Sequence, residues 1–355
     1  MNKRKLDDDS NKMIYIKHEI NSIDDLIYLG NQYIPGNIYN INLEKLYKLV
    51  PVLTKLQNVI GMDNIKKNIT NQIIFFIQDF QDKNSDMLHT VIQGPPGVGK
   101  TMLAEIIGEI YFTLDIIDQT NFKGNDFFYD IDNDFNPIEN KFKFTITKRS
   151  DLIGKYLGHT ASKTQSVIDN SLGGVLFIDE AYSLGNAEGI DSFSKECIDT
   201  LNQNLTEKKN QLLVIIAGYQ EALETCFFSY NEGLRRRFPF VYTLDKYTPK
   251  EMSCILQKMI NELGNDWSII VEQDVLDNFF EKNLELFPNS AGDIETLIFS
   301  IKIEHAKRLF CCDPESNQRK KITNIDIENA MKTYIDNKEK KNSIKKPVSE
   351  LMMYI

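Results

Sequence analysis

The sequence predicts an α/β fold: a parallel sheet covered by helices on both faces, an αβα core, followed by a smaller all-helical domain. Short, wholly apolar runs at 175–178 and 212–217 have the length and composition of strands buried on both faces. Helical patterns separate them, as parallel crossovers require. Beyond Pro249 only helix-period patterns remain.

Taken in order, residues 1–42 read as an N-terminal extension with a polar head, a short apolar stretch at 13–16 and the turn-rich Tyr33-Ile34-Pro35-Gly36-Asn37. Leu43, Leu46, Leu49, Val50 and Leu53 then recur at helical spacing, and Pro51 is expected to interrupt or restart that helix. Ile60-Gly61-Met62-Asp63 breaks the pattern. Ile65, Ile69, Ile73, Phe76 and Phe80 line one face of the next helix. A strand at 88–93, a loop at 94–99 and a helix at 100–110 follow. A second strand is expected at 142–147, after an aromatic, Asp- and Asn-rich stretch at 119–140 that lacks periodicity. Structureless segments of that length are unusual inside compact domains, so it reads as a surface insertion. A helix over 154–172, the strand 175–178, a helix over 192–205, the strand 212–217 and a last strand at 240–244 complete a core domain of 43–248. Helices over 252–263, 272–283, 293–310 and 324–335 form the smaller domain, 249–336, with Thr323-Asn324-Ile325-Asp326 as a helix start. The basic, polar 337–355 reads as a tail.

The 355 residues, 42% of them hydrophobic, suffice for one sizeable core and a satellite domain. A net charge of −10 disfavours a broad nucleic-acid footprint while leaving room for a local basic patch. Five cysteines without a CxxC pair point to reduced thiols. No signal peptide and no run of 18 apolar residues is visible, so the expectation is a cytoplasmic protein without a membrane partner, in a host's cytoplasm if its owner is viral.

The chemistry concentrates in two motifs. Gly94-Pro95-Pro96-Gly97-Val98-Gly99-Lys100-Thr101 is a complete P-loop between an apolar strand and a helix. Its glycines let successive backbone N–H groups face the phosphates of ATP, and the helix N-terminus adds positive potential. Lys100 reaches the β- and γ-phosphates, the Thr101 hydroxyl ligates Mg²⁺, and Met102 follows at the helix start. In Leu176-Phe177-Ile178-Asp179-Glu180, Asp179 at a strand tip suits the Mg²⁺ shell, and Glu180 is the natural base for the attacking water. The plainer reading makes Asp179 a turn cap and Glu180 a solvated acid.

With these motifs the sequence resembles the AAA+ family, and within it the branch of the red-type Rubisco activase and the stage V sporulation ATPase. The resemblance runs from about 43 to about 335. Its carriers are Ser150-Asp151-Leu152-Ile153-Gly154-Lys155-Tyr156-Leu157-Gly158-His159-Thr160-Ala161, Gly173-Gly174-Val175-Leu176-Phe177-Ile178-Asp179-Glu180-Ala181-Tyr182, and Ile216-Ala217-Gly218-Tyr219. It implies a P-loop ATPase with a helical lid, assembled with itself as a homo-hexamer that binds ATP at subunit interfaces. Arg235 and Arg237, in Leu234-Arg235-Arg236-Arg237-Phe238, are then the arginines offered to a neighbour's site; the alternative is a solvated charge run. Val59-Ile60-Gly61 is placed against the adenine. Tyr219 stands where a polar water-orienting residue is expected, and either its hydroxyl serves or it packs. The lid lacks the arginine that many relatives carry: Gly292 and Asp293 stand there instead.

By the same resemblance, Lys155-Tyr156-Leu157-Gly158 forms a pore loop after the second strand, with Tyr156 and Leu157 gripping an extended polypeptide client of unknown identity. An aromatic ring gives sequence-tolerant contact at modest entropy cost, although Tyr156 packing beneath its domain is the competing reading. Three functions stand at this point. The first is an ATP-driven ring that remodels or threads a protein; the second is a nucleic-acid-linked ATPase such as a clamp loader; the third is a nucleotide-gated scaffold with little turnover.

Overall fold

The structure is a computed structural model that describes residues 13–82, 85–118, 142–156, 158–186, 191–264, 267–310 and 319–344. The 119–140 insertion, Leu157 and the end of the tail lie outside the described residues. The chain divides into two compact units: Met1–Gly94 with Lys100–Leu244, and Pro95–Gly99 with Asp245–Ile355.

The first unit opens with α1 (Ile23–Gly30), an element that the sequence reading leaves unassigned. Ser22 and Asp25 close a capping box at its start, and Leu26 and Leu29 are buried. Gly30 lets it approach α2 (Leu43–Gln57): a Cβ there would lie 2.5 Å from Val50 Cγ2. Pro51 does not interrupt α2. The helix runs straight through it, held by Leu43, Leu46, Leu49, Val52, Leu53 and Leu56, all of them buried. The expected break before α3 (Asp63–Ile77) is present, with Gly61 and Met62 both left-handed at φ 70° and 61°. That helix ends at Ile77, so Phe80 falls beyond it and is exposed rather than on the buried face.

Strand β1 (Thr90–Gln93) leads to α4 (Lys100–Thr113). The chain continues through β2 (Phe144–Thr147), α5 (Thr160–Ser171), β3 (Gly174–Ile178), α6 (Ser192–Glu207), β4 (Leu212–Gly218), α7 (Glu232–Arg237) and β5 (Phe240–Thr243). The five strands form one parallel sheet in the order β2-β3-β4-β1-β5. Central β1 pairs with β4 (Thr90↔Ile215) on one side and β5 (Thr90↔Phe240) on the other. Every residue of β1, β3 and β4 is buried, whereas edge strands β2 and β5 are only partly so, as a sheet covered on both faces requires.

Helix α5 begins at Thr160, six residues later than the periodicity predicts. Gly154 N donates to Thr160 Oγ1 at 3.1 Å and Gly158 is left-handed at φ 81°, so the segment before the helix is a turn.

The second unit contains α8 (Pro249–Asn261), started by a Thr248–Glu251 capping box, then α9 (Gln273–Asn283), α10 (Ala291–Leu309) and α11 (Asn324–Ile344). It is mainly helical but not all-helical. Strands β6 (Ser268–Ile270) and β7 (Lys321–Thr323) pair in parallel, with Ile269 opposite Ile322. Three residues are too few for a period, so neither strand stands out from the helical patterns around it. The ladder abuts a buried polar cluster. Asp326, 1% exposed, accepts from Arg308 Nε and Nη2 at 2.7 and 2.9 Å and from Thr323 N at 2.9 Å, with His305 Nδ1 at 3.1 Å. Burial pushes its carboxyl up, but these bonds outweigh it and bring the pKa down to about 2. The last helix reaches Ile344, well past the predicted end, and Lys338 from it bonds Asp293 at 2.8 Å.

Candidate active site

In the first unit the site grows from the C-terminal tips of β1, β3 and β4, where a parallel sheet leaves strand ends open for a ligand. Gly94 ends β1 and donates to Gly218 O at 3.1 Å. A side chain there would meet Leu244 O at 2.6 Å, which explains the glycine by close approach. At the start of α4, Lys100 Nζ donates to Gly94 O at 3.0 Å and lies 5.4 Å from the centre of the Tyr219 ring. Burial lowers its pKa, while the carboxylates of Asp179 and Glu180 act in the opposite sense. Thr101 is half-buried and Met102 is exposed.

Buried β3 delivers Asp179 half-buried and Glu180 exposed. Asp179 Oδ1 accepts from Glu180 N at 3.0 Å, so this carboxylate does cap the turn, leaving Oδ2 as its second acceptor. Glu180 is left-handed at φ 51°, a costly conformation for a residue with a side chain and one that recurs at functional turns. Tyr219 follows β4 and is 41% exposed, with its ring 5.6 Å from that of Tyr182. Burial, then Glu180 and Tyr219, push the Tyr182 phenol up to about 12. Lys100, Asp179, Glu180 and Tyr219 are thus brought together, and Tyr182 joins them. Sequence reasoning quotes Tyr182 inside a motif without giving it a role; its spacing of two from Glu180 was the available signal.

The other expected residues have local partners of their own. Val59 is buried, with its carbonyl accepting from Lys66 Nζ at 2.6 Å, and Ile60 and Gly61 are half-buried at the head of α3. On α7, Arg235 pairs with Glu224 at 2.7 Å and lies 4.6 Å over the Phe228 ring. Arg237 donates to Thr206 Oγ1 at 2.8 Å and to Gly233 O at 2.7 Å. Arg236 between them is exposed. Tyr156 is 69% exposed, its ring 5.7 Å from His159.

In the second unit, Pro95–Gly99 is held by its backbone. Val98 O accepts from the Tyr247 hydroxyl at 2.9 Å, and Gly97 O from Ala291 N at 3.2 Å. Gly97 is left-handed at φ 70°, and a Cβ on it would fall 1.9 Å from Asn289 O. Asn289 N in turn donates to Asp293 Oδ2 at 2.7 Å.

These residues suit a nucleoside triphosphate with a hard cation. Lys100 offers a half-buried ammonium to phosphate oxygens, while the neighbouring carboxylates and the Thr101 hydroxyl are oxygen donors of the kind Mg²⁺ prefers, and such a cation would offset their excess negative charge.

Residues 90–245 match the ATPase family associated with various cellular activities, AAA. Over 327 residues the chain is 40% identical to the putative CfxQ-like protein R730 of Acanthamoeba polyphaga mimivirus, covering 91% of this chain and 74% of that protein. The chain belongs to the AAA family of ATPases. Its resemblance to the stage V sporulation branch also holds: it is 34% identical to the stage V sporulation protein K of Bacillus subtilis over 59% of each chain. Among solved structures, the FIGL-1 AAA domain in complex with ADP is similar in fold, with TM-score 0.52 and 18% identity over 81% of this chain and 88% of that one. Membership in the AAA family implies ATP hydrolysis.

Proposed function

We propose that this AAA chain hydrolyses ATP with Mg²⁺ and assembles as a homo-hexameric ring that remodels or threads a protein client. The observation that carries the catalytic half is the convergence of Lys100, Asp179, Glu180 and Tyr219 at adjacent strand tips. Glu180 accepts a proton from the attacking water, and Lys100 faces the β- and γ-phosphates. Thr101 and Asp179 hold the Mg²⁺, which supplies charge neutralisation at the phosphate oxygens. Arg235 or Arg237 of one subunit completes the neighbour's site. The backbone of 94–99 cradles the phosphates and Val59-Ile60-Gly61 borders the adenine.

The mechanical half rests on Tyr156. Its exposed ring, with the left-handed Gly158 two residues on, is available to grip extended polypeptide. The test is ATP turnover across protein concentration, for wild type and Tyr156→Ala, with an unfolded polypeptide, single-stranded DNA or duplex DNA. Turnover that rises with concentration, is stimulated by polypeptide and loses that stimulation in Tyr156→Ala is expected. Stimulation by DNA alone would replace the protein client with a nucleic acid, and negligible turnover with ATP still bound would make the chain a scaffold.

A further inference from the structure

Arg149, two residues past the end of β2, is a cation that neither nucleotide motif uses. It is half-buried, and its guanidinium is divided among three groups. Nη1 donates to Ser183 O and, at 3.3 Å, to Ser194 Oγ, while Nη2 donates to Asp191 Oδ2 at 3.1 Å. The carboxylate bond is charge-assisted, and a planar fork fixes its acceptors relative to one another. Pairing of charges would need Asp191 alone. The fork adds a main-chain carbonyl from a different part of the first unit.

That carbonyl belongs to the helical turn Ala181–Leu184, which directly follows Glu180. Ser183 N donates to Glu180 O at 2.7 Å, so this turn fixes the left-handed corner at φ 51° on which Glu180 stands. Arg149 thus holds the turn by one of its carbonyls. Its other two acceptors lie at the start of α6. Asp191 is the N-cap of that helix, accepting from Phe193 N at 3.1 Å and from Ser194 Oγ at 2.8 Å.

In the other direction Arg149 opens a helical turn, Arg149–Leu152, that leads toward Tyr156. Arg149 O accepts from Ile153 N at 3.0 Å, Leu152 O from Thr164 Oγ1 at 3.0 Å, and Gly154 N donates to Thr160 Oγ1 at 3.1 Å. Past Tyr156, Ala161 N donates to Glu196 Oε1 at 3.1 Å, again near the start of α6. The chain that carries Tyr156 is therefore fastened to α6 on both sides of that residue. The Arg149 fastening also reaches the turn after Glu180.

We propose that Arg149 is a positioning residue that couples the grip on a client to ATP hydrolysis. Its fork joins the turn after Glu180, the start of α6 and the approach to Tyr156, so that a load on Tyr156 shifts the corner that presents Glu180. Contiguous hydrogen bonds between folded elements are a physical route for such coupling. The proposal rests on the reading of Tyr156 as the gripping residue and Glu180 as the base.

The experiment compares wild type, Tyr156→Ala, Arg149→Lys and Arg149→Gln at a concentration where turnover has reached its plateau. It measures ATP turnover with and without a carboxymethylated, permanently unfolded polypeptide, together with ATP affinity and thermal melting. Arg149→Lys keeps a positive charge for Asp191 but cannot reproduce the planar fork. In both Arg149 variants the bond from Ser183 N to Glu180 O can persist, so ATP affinity and turnover without polypeptide are expected within about threefold of wild type. Stimulation is expected to be lost, with turnover in polypeptide within about 1.5-fold of turnover without it. Wild-type stimulation in Arg149→Gln, or its restoration by lysine, overturns the proposal, and its loss in Tyr156→Ala would show that the gripping reading survives. Parallel losses of ATP affinity, basal turnover and melting temperature in both Arg149 variants would mark a structural residue and also overturn it. A wild type that polypeptide does not stimulate, or a Tyr156→Ala protein stimulated as wild type is, would remove the gripping reading and the proposal with it.

Discussion

Single side chains differ in how much of their duty is already discharged inside the chain. Glu180 has its role open, so Glu180→Gln should leave ATP binding intact while lowering turnover at least about 100-fold, a loss read directly from single-turnover rates. Arg237 is committed twice, to Thr206 and to Gly233. Arg237→Ala should therefore destabilise the chain by about 1–3 kcal/mol in urea unfolding, whatever it does to catalysis. If Arg237 also serves a neighbour's ATP, the assembled variant loses turnover. An Arg237→Ala ring that hydrolyses ATP normally would take it out of that role and leave Arg235 and Arg236. Arg235 must surrender its pairing with Glu224 to act, whereas Arg236, exposed and without a partner among the described residues, surrenders nothing. Such differences are invisible in the run Arg235-Arg236-Arg237, because sequence gives charge and spacing but not the partners that occupy each guanidinium.

Elements of the first unit are joined by a few buried polar groups, and one of them makes stability depend on pH. His89 sits just before β1, 1% exposed, with Nε2 against Leu205 O at 2.9 Å and Nδ1 accepting from Val214 N at 3.1 Å. It staples the end of α6 and strand β4 to the strand that carries the P-loop. Burial lowers its pKa from 6.5 to about 4, with Arg237 adding to the shift. The unfolded chain therefore takes up the proton first as pH falls. The staple's contribution is whole above pH about 6.5 and is lost progressively down to about pH 4, to the extent of about 3 kcal/mol. Urea midpoints should fall across that window, and His89→Gln should flatten the fall; an unchanged slope would discharge His89 from the role. At this scale the sequence is a good guide where a pattern is long. The buried runs of β3 and β4 and the helices α4 and α6 stand almost where periodicity puts them. It is a poor guide where a contact decides: Pro51 stays helical because six buried side chains hold α2, Gly158 delays α5, and three-residue β6 and β7 exist only through each other.

For the whole molecule, both nucleotide motifs and their order were legible because each is local: a loop with its flanking strand and helix, and an apolar strand ending in two acids. The order in which strands lie side by side was not, since no residue of β1 names its neighbours. Among the described residues no helix is long and apolar enough to cross a membrane. The sheet order carries a further consequence, for the time at which the molecule becomes competent. Strand β1, made early, lies between β4 and β5, whose partners Ile215 and Phe240 come more than a hundred residues later. During synthesis the P-loop therefore leaves the ribosome with its sequence complete but its two flanking strands still unmade. It must wait as an unpaired apolar strand until residue 218 has emerged, and with one flank open until residue 243; long-range parallel pairing of this kind is intrinsically slow. A nascent chain of this protein can carry a finished ATP-binding motif long before it can hold ATP.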